Sequence, residues 1–168
     1  MAAAACLIDA NAFSELRITW EKEGIHPFEI VGSDDLVIST VIWDELVQDL
    51  PVDDHKVAKI DTLLREMGNR IVRTTDADAS VANELIERYQ RHDPPWPDPS
   101  DALIAATAVR VGRIVVTRNW KHFHFVLDLQ TLMLRPWPVD RPWLENRPLT
   151  PGDHSQPCCQ RLTAPGLT

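Results

Sequence analysis

The stretch "DPSDALIAATA", Asp98 to Ala108, places one carboxylate in the first turn of a segment that is otherwise almost wholly apolar. Asp98 has the chemistry of an N-cap and Pro99 that of a first helical residue. A helix is therefore predicted from Pro99 to about Val111, with Gly112 ending it. The run "RIVVT" (113–117) follows at once, short, apolar and β-branched, as a buried strand should be. A helix that leads directly into a buried strand belongs to a parallel α/β sheet. Asp101 then has two readings. It is a first-turn acid favoured by the helix dipole, or a metal ligand at the mouth of the helix.

The same alternation runs through the upstream chain. "AAACLI" (3–8) reads as a buried strand ending at Asp9, followed by a helix with Phe13, Leu16 and Trp20 on one face. "DLVIST" (35–40) is a second strand, which enters the helix "VIWDELVQDL" (41–50), stopped by Pro51. "DDHKVAKIDTLLREMG" (53–68) is amphipathic on Val57, Ile60, Leu64 and Met67, and Gly68 closes it. "RIVRT" (70–74) is a third strand. The helix that follows is amphipathic on Ala82, Leu85, Ile86 and Tyr89. "HDPPWPDP" (92–99) is a proline-dense break, and "TLMLRPW" (131–137) a short last strand. This order predicts an α/β fold with a parallel, doubly wound sheet, whose ligands bind outside the carboxyl ends of the strands. From Pro138 onward prolines recur and periodicity vanishes, so 138–168 reads as a poorly ordered, flexible tail beside a single domain at 1–137.

Composition bounds the function. The chain has 168 residues and the apolar and charged fractions of a soluble globular protein. No apolar run is long enough to span a membrane. "MAAAACLIDA" lacks the basic start of a signal peptide, so a cytoplasmic location is expected. Cys6 lies in an apolar run, and Cys158 and Cys159 are adjacent, which is no disulfide framework. His154 with that cysteine pair lacks a fourth ligand at zinc spacing. The net charge of −8, with a pI near 5.1, argues against broad electrostatic binding of nucleic acid. It fits a site that concentrates carboxylates, or a basic protein partner. No phosphate-cradling glycine loop, G-x-S-x-G elbow or H-E-x-x-H helix is present.

Fold logic singles out polar groups just past strand ends. Asp9 follows the first strand, Glu45 lies about one turn into the helix after the second, Asp101 opens the helix before the fourth, and Asn119 follows the fourth. Each has an ordinary role available: Asp9 as a cap, Glu45 as a solvated helix residue, Asp101 as a first-turn acid, Asn119 as a turn residue. Together they suggest more. Clustered carboxylates repel, and a divalent cation removes that cost. Mg²⁺ and Mn²⁺ prefer oxygen ligands and keep several waters, so two or three carboxylates and an amide oxygen would suit them. Arg17, Arg110, Arg113, Arg118, Lys121, His122 and His124 lie in segments that border this edge on the same logic. Of these, Arg118, Lys121 and His122, beside Asn119, are placed to meet a phosphate backbone. Trp96, Trp120 and Phe123 have the chemistry to stack on bases, though such residues more often pack.

"LIDANAFSELR" (7–17), "VISTVIWDEL" (37–46), "DALIAATAVRVGRIVVTRNWKHF" (101–123) and "RPW" (135–137) resemble the PIN-domain nucleases, and most of all the VapC-like toxins of bacterial and archaeal toxin–antitoxin pairs. The likeness keeps its order over about residues 5–137. It implies a PIN-like three-layer α/β/α domain with a central parallel sheet. It further implies a Mg²⁺- or Mn²⁺-dependent endoribonuclease that pairs with a small cognate antitoxin protein and often forms a homodimer. The family's acids carry over onto Asp9, Glu45 and Asp101. Its fourth position falls on Asn119, where many relatives have Asp and others Asn. Asn11 matches a polar position that would support Asp9, with Thr117 as a second supporting residue. Ala10 stands where relatives usually carry Thr. Arg118, Lys121 and Arg17 are the candidates for binding RNA.

Two other functions compete. "DANAF" faintly resembles the D-x-D start of haloacid-dehalogenase-like phosphohydrolases, against which Asn11 counts in place of the second Asp. A PIN-like module that has lost activity and only binds an antitoxin-like partner or RNA would account for Asn119 and the acidic charge.

Overall fold

Three- and four-residue strands of branched aliphatic side chains can be stable only when both sheet faces are covered. The computed structural model describes residues 5–89, 98–123, 126, 129–134 and 144–146, and there the central strands are covered in that way. They are β1 (Cys6–Ile8), β2 (Leu36–Ser39), β3 (Ile71–Val72), β4 (Ile114–Thr117), β5 (Thr131–Leu134) and β6 (Leu144–Asn146). Their spatial order is β3-β2-β1-β4-β5-β6. The first five are parallel, with Leu7 opposite both Val37 and Val115 in the centre. β1, β2 and most of β4 are fully buried.

The helices are α1 (Ala10–Glu23), α2 (Pro27–Val31), α3 (Thr40–Val47), α4 (His55–Glu66), α5 (Asp76–Tyr89) and α6 (Pro99–Arg110). Right-handed crossovers put α1, α2 and α4 on one face and α5 with α6 on the other, and α1 indeed meets α2 and α4 while α5 lies along α6. This is the α/β/α sandwich with a central parallel sheet. The chain leaves β1 toward β2 and β3, then returns past β1 to β4. The sheet therefore reverses its order between β1 and β4, which is where such folds open a crevice.

Three elements depart from the sequence reading. α2 was not foreseen. It is a single turn held by a capping box between His26 and Glu29, with Pro27 at its start and Gly32 at φ 70° behind it, and five residues carry too little periodicity to read. α3 ends at Val47, before Pro51, because Asp49 takes a left-handed conformation at φ 61°. β6 lies inside the stretch read as a tail and pairs antiparallel with β5, Met133 opposite Glu145. Flanking prolines hide so short an edge strand. The rest of 138–168 lies outside the described residues. So do the loop at 90–97, Trp96 and His124, the His154–Cys158–Cys159 group, and the side chains of Tyr89 and Trp120.

α5 and α6 are joined by a polar clamp that sequence periodicity did not reveal. Asp78 is buried on α5, and its carboxylate accepts from Arg110 Nε at 2.7 Å and Nη2 at 2.9 Å. The backbone N–H of Thr75 donates to it at 2.8 Å. Arg110 also donates to the Arg73 carbonyl. Asp78→Ala should therefore destabilise the protein by about 3 kcal/mol, since it strands a guanidinium and a buried N–H together. Urea unfolding should show the midpoint falling with the slope unchanged.

Candidate metal centre

Asp9 follows the last residue of β1 and caps α1, with Oδ1 accepting from the Ala10 N–H at 2.8 Å. Its other oxygen, Oδ2, accepts from Thr117 Oγ1 at 2.8 Å. Thr117 ends β4, the strand beside β1, and its hydroxyl oxygen accepts from the Asn119 N–H at 2.9 Å. A buried chain of hydrogen bonds thus ties the two strand ends at the switch point. Asp9 is only 4% exposed. Burial pushes its carboxyl up to about 6, and the negative charge of Asp101 adds to this, against the hydrogen bonds of Thr117 and Ala10.

Asp101 stands in the first turn of α6, which begins as its residues dictate: Asp98 Oδ1 accepts from the Ser100 N–H at 2.9 Å and Pro99 follows. Below that turn the helix is sealed by Ala102, Ile104, Ala105, Ala106, Thr107 and Ala108, all buried. Burial raises the Asp101 carboxyl, opposed by His122, whose Nδ1 lies 2.8 Å from Asp101 Oδ2; Asp98 and Glu45 raise it further. Glu45, on α3, is half-buried. Burial raises its carboxyl too, opposed by a hydrogen bond with Ser100 and reinforced by Asp9 and Asp98.

Asp9, Glu45 and Asp101 therefore lie within electrostatic reach of one another at the carboxyl edge of the sheet. Among the described residues, no three His, Cys, Asp or Glu side chains converge closely enough to form a finished metal cage. Repulsion between the carboxylates opposes such closure, and a divalent cation offsets it. The donors are all oxygen, which suits a hard cation such as Mg²⁺ or Mn²⁺ rather than zinc.

The other candidates are placed unequally. Thr117 touches Asp9. Asn119 is exposed, and its hydrogen bond toward the acids comes from its backbone. Asn11 is exposed in the first turn of α1, and the Asp9 side chain is held by Ala10 and Thr117 instead. Arg118 is at the edge and pairs with Glu15 at 3.1 Å; Lys121 is exposed beside it. Arg17 pairs with Glu21 on its own helix. Two arginines fall away from the edge. Arg113 precedes β4 and pairs with Asp35 ahead of β2, at the opposite end of the sheet. Arg110 is nine residues down α6 from Asp101, roughly 13 Å of helix, and is engaged by Asp78. Phe123 is fully buried, so it packs and stacks on no base. Cys6 is buried in β1, which pushes its thiol up to about 11 and makes it unreactive. Ser100 was missed. Its position two residues after the cap was a signal for the N-terminal turn, but nothing local pointed to Glu45.

The family model of the PIN domain matches residues 6–125. The chain belongs to the PIN domain family. PIN domains are generally nucleases that use divalent metals. Solved structures with the same fold include the DNA-bound VapBC of Salmonella typhimurium, at TM-score 0.59 and 17% identity, covering 80% of this chain and 99% of that one. VapBC2 of Rickettsia felis, bound to a promoter DNA fragment, gives 0.57 and 17%, covering 80% and 99%. A toxin–antitoxin complex from Klebsiella pneumoniae gives 0.50 and 20%, covering 80% and 100%. No curated protein matches the chain. No helix among the described residues is long and apolar enough to cross a membrane.

Asp9 ionises near pH 3.9 in an unfolded chain and at about 6 in the fold. Between those values the folded state holds the extra proton, so stability falls as pH rises through that window. Asp9→Asn should stabilise the cation-free protein by about 1–3 kcal/mol at pH 7.5. Unfolding in urea with a chelator, repeated at pH 4, should show that gain disappear.

Proposed function

We propose that this chain is a divalent-metal-dependent endoribonuclease, the toxin component of a toxin–antitoxin pair. The observation that carries the proposal is the set of three mutually sensed, partly or fully buried carboxylates at the switch point of a PIN fold. Such a cluster is costly unless a cation joins it. Asp9, Asp101 and Glu45 would hold Mg²⁺ or Mn²⁺, with Asn119 offering an amide oxygen. A bound ion of this kind lowers the pKa of a ligated water and steadies charge on a phosphoryl group.

The chain's own residues supply the setting. Thr117 and the α1 N-terminus hold Asp9 in one orientation. Arg118 and Lys121, exposed just past β4, offer positive charge to a phosphate backbone at the rim of an otherwise acidic molecule. Arg17 lies two turns along α1 as a further contact. Specificity for one RNA would lie in loop shape and in the fold of that RNA. An antitoxin partner and a homodimer are supported by likeness to toxin–antitoxin assemblies, and a net charge of −8 favours a partner with a basic contact face. A cytoplasmic setting accords with an RNA substrate.

Purified protein with Mn²⁺ should cleave RNA. Asp101→Asn should reduce cleavage to background while circular dichroism stays unchanged. Failure of the wild type to cut any RNA, or equal cutting by the variant, removes this reading. The neutral, exposed Asn119 favours one rival, a PIN module that binds without cutting. Calorimetry would identify it by tight partner binding with no Mn²⁺ binding.

A further inference from the structure

The six residues from Thr117 to His122 grip two acids that belong to two different elements. At one end Thr117 Oγ1 donates to Asp9 Oδ2, at the N-terminus of α1. At the other, His122 Nδ1 lies 2.8 Å from Asp101 Oδ2, in the first turn of α6. The first contact has a precedent in the sequence reading. The second does not: on sequence alone His122 is placed to meet a phosphate backbone.

The imidazole is placed by the core rather than by its own contact. His122 ends a 3-10 turn, Trp120–His122, in which its N–H donates to the Asn119 carbonyl at 2.9 Å. Phe123 follows immediately and is fully buried, and the Val126 N–H donates to its carbonyl at 3.1 Å, with Val126 buried too. The two apolar anchors fix the turn, and the turn fixes the ring. The His122 and Asp101 side chains are 30% and 15% exposed, so the contact is sheltered but not sealed. Against the ionised form of Asp101, which only accepts, Nδ1 carries the proton and donates. Asp101 Oδ1 is then left for a cation.

We propose that His122 is a positioning residue, whose Nδ1–H fixes the Asp101 carboxylate in the orientation that receives a divalent cation. This rests on the reading of Asp9, Glu45 and Asp101 as the cation's ligands. Carboxylate ligands are held by outer hydrogen-bond partners, and loss of such a partner costs 10- to 100-fold in affinity or activity. The contact also resolves an electrostatic difficulty of α6. Asp101 stands close to Asp98 and Glu45, both of which repel it, and a donor on Oδ2 keeps its rotamer from turning away from them toward solvent.

The test is calorimetric titration of the cation-free protein with MnCl₂. His122→Ala should weaken Mn²⁺ binding by about 10- to 100-fold with an unchanged unfolding midpoint. His122→Asn should recover most of that affinity, because its amide N–H stands where the imidazole Nδ1–H stands. His122→Gln, whose amide reaches the Nε2 position, should not recover it. The Asn and Gln comparison decides the question even if the alanine variant folds poorly. In an Asp101→Asn background, His122→Ala should add no further loss, since the effect runs through Asp101. Wild-type affinity in His122→Ala, or equal affinity in the Asn and Gln variants, overturns the proposal. A rise in KM for RNA with Mn²⁺ affinity intact overturns it also, and returns His122 to the phosphate backbone. Absence of Mn²⁺ binding by the wild type, or undiminished binding by Asp101→Asn, instead sinks the ligand assignment on which the inference stands.

Discussion

Asp9 is a carboxylate at the buried end of a central strand, 4% exposed and facing a second acid. That placement is unfavourable to its charge, and much of the surrounding structure answers to it. β1 is only three residues long and ends where the charge begins. α1 starts at once, so its unpaired N–H groups and its dipole meet the carboxylate. The neighbouring strand β4 ends in Thr117 rather than an aliphatic residue, and the hydroxyl is spent on the same group. These supports reduce the penalty without removing it, since the carboxyl still titrates near 6. That residual electrostatic cost at one sheet edge is what the proposed cation would offset.

The opposite edge shows the contrast. There Asp35 meets both Arg70 and Arg113, and on the α5–α6 face Asp78 meets Arg110. Each of these carboxylates is matched by at least one arginine, and the pairs tie loops or helices together. Their carboxylates are shifted downward by their arginines despite the cost of burial, while Asp9, Glu45 and Asp101 are shifted upward by burial. Sign of shift separates the acids paired with arginines from the three proposed as cation ligands. The Asp78 clamp serves the site indirectly. It fixes the last turn of α6, as Asp98 fixes the first, and Thr107 bonds Thr74 between them at 3.2 Å.

The sheet and its main helices were legible because each needs a pattern that local sequence can carry. Asp98, Pro99 and Gly112 bracket α6 by backbone chemistry alone, and Leu36–Ser39 reads as a covered strand because every position is apolar or small. The candidate acids were legible through topology, as polar residues at strand ends. What stayed hidden depends on distant pairing. Nothing in the local sequence singles out Asp78, and only the return of α6 brings Arg110 to it. Arg110 and Arg113 looked like edge cations because charge in sequence carries no direction. Ser100 beside Glu45, and His122 beside Asp101, join residues 55 and 21 positions apart, beyond any periodic signal. Phe123, an aromatic with the chemistry to stack on a base, packs instead as such residues more often do, and its burial anchors the turn that carries His122.

Asn119 can be understood from the same geometry. Its backbone N–H bonds Thr117 Oγ1, which in turn bonds Asp9. That hydroxyl has one proton, and an incoming N–H on its oxygen directs that proton to the carboxylate. Support for Asp9 therefore comes from the main chain at position 119 and is indifferent to whether the side chain is Asn or Asp. What the amide changes is charge. An Asp here would bring a further anion to the same sheet edge, adding to the repulsion among its acids. With Asn, the edge keeps the scaffold that orients Asp9 and carries no further negative charge. The substitution thus acts on how strongly the site is charged and leaves how it is built untouched.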